Sequence, residues 1–203
     1  MRRSVSRAVA GATLAATVWT AGCGSMASSP KPSVLPAPSA TSASTATPKA
    51  APPADFTDLL IAPDALGLPG EPYSAQPPTQ NPQGVPGVST LMVNRSDTRS
   101  VGDTIYLLPD PDAATTSLKG AAQSLDTVIA TPVAQPAPVG DTGTVATGDS
   151  LDGTKGMTVV MFTRGRAFVT MMFGAAPGQA FPSQLATQAA QGQDAIVKDK
   201  API

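Results

Sequence analysis

The strongest hydrophobic pattern in the chain lies late, in MTVVMFTRGRAFVTMMFG, residues 157–174. Two apolar runs flank Arg164-Gly165, which reads as a hairpin turn. Met157, Val159 and Met161 alternate with Val160 and Phe162, and Phe168 and Met172 alternate with Val169, Met171 and Phe173. A strand with one wet face alternates apolar with polar residues, so a hairpin apolar on both faces is expected at the centre of a sheet covered on both sides. Two further strands are read in VSTLMVNRS and GDTIYLLP, where β-branched and aromatic residues are bounded by turn formers. DTVIATPV predicts another strand, ended by the breakers of AQPAPVG, and residues 142–147 predict one more.

Helical spacing appears twice. Asp110-Pro111-Asp112 combines an N-cap Asp, a proline at the first helical position and an acidic residue in the first turn. The helix that follows places Leu118, Ala121, Ala122 and Leu125 on one stripe, and a last helix from about Ser183 places Leu185, Ala189, Ile196 and Val197 on another. Ahead of the strands, DFTDLLIAPDALG offers short helical turns with Phe56, Leu59, Leu60 and Leu66 apolar, Asp55 and Asp64 as caps and Gly67 as terminator. The next stretch, EPYSAQPPTQNPQGVPG, has no periodicity and reads as a long loop of the kind that forms lids or binding loops. The expectation is an α+β domain over residues 55–203: a mainly antiparallel sheet of about five or six strands with two main helices packed on it.

The N-terminal pattern is different. Arg2, Arg3 and Arg7 precede an apolar run over residues 8–19, too short to span a bilayer and read as a signal-peptide core. Thr20-Ala21-Gly22-Cys23 is similar to the bacterial lipobox, which implies cleavage after residue 22 and lipidation of Cys23. One acyl chain anchors marginally and two anchor stably, so this predicts a protein held on the outer face of the cell membrane. Residues 23–54 are Ser, Thr, Ala and Pro with Lys31 and Lys49 as their charges, a composition expected to form a disordered tether.

Composition narrows the functions. Cys23 is the one cysteine, so the domain stands on its hydrophobic core without a disulfide. Without the three signal arginines ten basic residues face fourteen acidic ones, which argues against nucleic acid as a partner. The chain contains no histidine, which removes the usual zinc ligand, general base and pH switch.

ATGDSLDGTKG, residues 146–156, tests that reading. Gly-Asp-Ser-Leu resembles the nucleophile block of a lipase family, yet Ser150 has no histidine to activate it and Lys155 stands five positions on in a loop. A phosphate-binding loop needs Lys where Thr154 stands, and Asp149 and Asp152 miss the spacing of a calcium loop. The segment reads as a solvated turn. No enzyme chemistry, metal or cofactor site is expected. Arg164 and Arg166 read as a solvated hairpin tip, with an acidic partner as the sharper alternative. Met157, Met161, Met171 and Met172 fill a core or, because methionine is soft and adaptable, line an apolar pocket for a lipid or similar ligand; the Pro-rich stretch is placed to cover it.

The order of features, signal peptide, Cys23, tether and domain, resembles small actinobacterial, especially mycobacterial, cell-envelope lipoproteins, and the pattern LLIAPDALG, Pro-rich stretch, VVMFTRGRAFVTMMFG and terminal Ala-rich helix more loosely resembles the extracellular sensor domains of mycobacterial Ser/Thr kinases. The resemblance implies an outward-facing, ligand-binding or sensing domain with no catalytic residues. The alternative function is a protein-interaction accessory subunit of an envelope complex.

Overall fold

The computed structural model describes residues 54–201. The signal peptide, Cys23 and the tether up to residue 53 lie outside the described residues, and so do residues 202–203.

Eight strands form one antiparallel sheet: β1 (Tyr73–Ala75), β2 (Thr79–Gln80), β3 (Gly87–Asn94), β4 (Ser100–Leu107), β5 (Ile129–Pro136), β6 (Thr142–Ser150), β7 (Gly156–Arg164) and β8 (Ala167–Ala175). Their order is β1-β3-β4-β8-β7-β6-β5, with β2 also pairing β3. Helix α1 (Pro111–Gln123) follows the β3–β4 hairpin, and α2 (Ser183–Lys200) closes the described chain. The class is the α+β arrangement of the sequence reading, but the sheet is larger than five or six strands. The Pro-rich stretch supplies the difference. Its strands are two and three residues long and join the sheet edge through backbone pairing to β3, so they carry no side-chain alternation to read.

The β7–β8 hairpin is central, as its pattern demands, with residues 156–163 of β7 buried without a break. Its turn is Gly165-Arg166, one residue later than the sequence suggests, and Gly165 takes φ +53°. On one face of the sheet Val160, Phe162, Val169, Met171 and Phe173 meet α2 and residues 59–66; on the other Met157, Val159, Met161 and Phe168 meet α1. A fully buried side chain of this size contributes about 1.5–3 kcal/mol, so these two faces hold the hairpin in place.

Asp110 caps α1 as expected, accepting the Ala113 N–H at 2.8 Å. In α2 the buried stripe is Ala186, Ala189, Ala190, Gln193 and Val197, whereas Leu185 and Ile196 lie at its flanks. Small residues let the helix settle close to β7. Gly156 lets the segment leading into α2 lie against β7: a Cβ there would come within 2.6 Å of the Ala180 backbone nitrogen.

Candidate functional site

Strands β7 and β8 present Val159, Met161, Thr170 and Met172 towards α1. The helix ends at Gln123, and the 310 turn Leu125–Thr127 then leads through Val128 into β5. Between this corner and the sheet lies an apolar cavity of about 170 Å3, lined by Ala121, Leu125, Val128, Val159, Met161 and Met172 among others. Thr127, also at the wall, spends its hydroxyl on the Ser124 carbonyl at 2.6 Å. Met161 is 2% exposed and forms the base, while Val128 is 37% exposed at the rim.

The apolar surface continues past the cavity. Register places Leu91, Gly102, Met172 and Val159 in one row across β3, β4, β8 and β7. Gly102 has no side chain to fill the row, and Leu91 beside it is 39% exposed. The α1 side of the sheet is therefore covered over β7 and open towards β3.

Of the four methionines singled out in the sequence, the structure brings Met161 and Met172 together at the cavity. Met157 lies on the same face, 9% exposed within the α1 core, and does not line it. Met171 lies on the opposite face, fully buried in the α2 core. Successive strand residues point to opposite sides, so Met171 and Met172 cannot share one pocket. The Pro-rich stretch does not line the cavity either: it is committed to the β3 edge of the sheet.

The segment 146–156 is only partly a loop. Asp149 and Ser150 belong to β6, and the turn proper is residues 151–155. The Ser150 hydroxyl donates to Asp152 at 2.6 Å and accepts the Lys155 N–H at 3.0 Å. Asp152 also accepts the Thr154 N–H and hydroxyl. The Ser150 hydroxyl, then the two Thr154 donors, pull its carboxyl down to about 2.

Arg164 is not a solvated tip. Its Nε donates to Asp194 of α2 at 2.8 Å and its Nη1 to Asp141 at 2.8 Å. These bonds, chiefly that to Asp194, raise the guanidinium pKa, and the residue clasps the hairpin end to α2.

Asp103 escaped the sequence reading. It occupies the α2 face of β4 between Val101 and Ile105, fully buried, and neither carboxyl oxygen has a hydrogen-bond partner. Burial pushes its pKa up to about 7, opposed only by the nearby Ile61 N–H, which itself donates to Gln193 at 2.7 Å. The signal available was a carboxylate inside the alternating run Val101, Asp103, Ile105, Leu107. It faces away from the cavity. Among the described residues no group of three or more Cys, Asp or Glu is placed to hold a metal ion, and no helix is long and apolar enough to cross a membrane.

No protein-family model matches the chain, and no curated protein does. Among solved structures, the extracellular domain of PknH from Mycobacterium tuberculosis is similar in fold, with a TM-score of 0.50 and 12% identity over 72% of this chain and 98% of that one. Identity at this level establishes likeness of fold alone.

Proposed function

We propose that this chain is a non-catalytic cell-envelope module, anchored through a lipidated Cys23 to the outer face of the cell membrane, that binds or senses an apolar group inserted beneath α1. The cavity against Met161 and Met172 is the observation that carries this reading, and its size sets the ligand. At about 170 Å3 it slightly exceeds the roughly 150 Å3 engineered cavity that takes benzene and falls short of the roughly 300–1,000 Å3 of ordinary small-molecule sites. A single ring or a branched chain end fits; a whole acyl chain does not. The remainder of such a ligand would lie along the open row from Met172 to Leu91. Methionine at both base and rim lets the walls adapt to the end group. The likeness of fold to the extracellular domain of PknH supports an outward-facing sensing role, and Arg2, Arg3, Arg7 and Cys23 support the anchor.

A second reading, a protein-interaction subunit, is favoured by the exposure of Val128 at the cavity rim and of Leu91 further along the same row. An aromatic or aliphatic anchor set in a small pocket and ringed by weaker contacts is the usual anatomy of an interface. Native mass spectrometry of residues 24–203, purified without detergent from a related host, separates the two. A retained or added envelope lipid seen as a mass adduct supports the first. A bare mass that takes up none of the added lipids overturns it and leaves the protein partner.

A further inference from the structure

At the β1 end of the sheet, away from α1, a cleft of about 430 Å3 is walled by residues 69–73, the β3–β4 turn and the segment after β8. A second hollow of about 250 Å3 shares Gly70, Glu71 and Tyr73 with it and continues towards Pro63. Nothing in the apolar reading uses this region, and its chemistry is opposite.

The cleft holds one cation and one carboxylate, each fixed by part of its bonding capacity. The Arg99 guanidinium lies over the Phe181 ring, 5.1 Å from its centroid, and Nη1 donates to the Pro69 carbonyl at 3.2 Å. Phe181 is in turn buried against Phe173, so the platform is rigid. Arg99 is in no ion pair among the described residues; besides the Pro69 carbonyl, its guanidinium faces the Tyr73 hydroxyl. Gly70 takes φ +106°, a conformation that favours glycine, as the chain turns beside Arg99.

Glu71, the chain's one glutamate, accepts the Ser96 N–H at 2.9 Å and the Asn94 amide at 3.4 Å, both through Oε2. Its Oε1 accepts from none of the described residues. Glu71 and the carbonyl that holds Arg99 are two residues apart, a backbone span of at most about 7 Å, yet the two charges form no ion pair. Beside Arg99 the Tyr73 hydroxyl is shut away from water; burial raises its pKa and the neighbouring guanidinium opposes that rise. Hydroxyls of Ser96 and Thr98 and the Gln179 amide complete a polar rim.

We infer that this cleft is a second ligand site, taking a small zwitterion of the amino-acid class. The ligand carboxylate meets the outward edge of Arg99, its ammonium meets Glu71 Oε1, and its side chain extends into the adjoining hollow. A guanidinium presents a planar fork suited to a carboxylate. The carboxylate on the opposite wall disfavours simple anions such as phosphate.

The test is ligand-observed saturation-transfer NMR on the full 203-residue chain in nonionic detergent micelles, with free amino acids, their N-acetyl forms and their carboxamides as probes. Free amino acids of at least one side-chain class bind, and both N-acetylation and amidation weaken binding tenfold or more in the wild-type protein. Arg99→Met, which keeps a stem over Phe181, and Glu71→Gln, which keeps an acceptor for Ser96, each lower affinity by at least tenfold. Equal binding of the N-acetyl or amide forms overturns the proposal, as does the absence of any binding at millimolar concentration.

Discussion

Ile61 donates its backbone N–H to the side-chain oxygen of Gln193 at 2.7 Å, across 132 residues of sequence. The Gln193 Nε2 in turn donates to the Leu59 carbonyl, also at 2.7 Å. The pair mimics a rung of β-ladder and fastens the N-terminal turns of the domain to α2. Replacing Gln193 by Leu leaves a buried N–H and a buried C=O unpaired, at about 1–3 kcal/mol each. Chemical denaturation is expected to show a loss of about 2–5 kcal/mol, and a loss below 1 kcal/mol would show that the two groups find other partners.

Asp103 makes stability depend on pH in the direction opposite to most carboxylates. Its folded pKa of about 7 lies above the ordinary 3.8, so the fold holds a proton that the unfolded chain gives up. The contribution is fully present below pH 4 and is lost as pH rises to about 7, at roughly 1.4 kcal/mol per unit. Urea midpoints are expected to fall between pH 4 and 7 in the wild type, with a much shallower fall in Asp103→Asn. Equal slopes in the two proteins would remove Asp103 from the account.

Arg164 joins Asp141 and Asp194, with 27% of its side chain exposed and only 14% of that of Asp194. Partial burial and two charge-assisted contacts place the loss on Arg164→Met at about 1–3 kcal/mol. Differential scanning calorimetry at low and high salt checks it: the loss should shrink with salt, because the Asp141 contact is half in water.

Anchoring is tested by Cys23→Ser. The wild-type chain is expected in the membrane fraction carrying radiolabelled palmitate, and the variant in the soluble fraction without label, since acyl chains supply the membrane affinity. Equal membrane association of the two would overturn the lipid anchor.

The elements legible in the sequence are those whose signal is local. The apolar run on both sides of Gly165, the Asp110-Pro111-Asp112 start of α1 and the Gly67 terminator, at φ +63°, each follow from neighbours along the chain. Strands β1 and β2 pair through backbone atoms alone, so Tyr73 and Thr79 look like loop residues until β3 is placed beside them. The α2 stripe hides because Ala186 and Ala190 are buried for their smallness, and Gln193 for its hydrogen bonds. Of the four methionines read as a pocket, two, Met161 and Met172, line the apolar cavity. Met171 is excluded by strand alternation, and that Leu125 and Val128 join the cavity depends on how α1 crosses the sheet. The Arg99 cleft was illegible, since residues 69–73, 94–99 and 176–179 meet only in the fold.

The measurement that bears most directly on the apolar cavity is methyl NMR of the chain labelled with 13C at its methionine Cε groups, titrated with a short branched fatty acid. Binding beneath α1 shifts Met161 and Met172 together and saturably, while Met171 and Met92, buried on the far face, stay still. Silence at Met161 and Met172, or equal shifts at all four, would contradict a ligand site there.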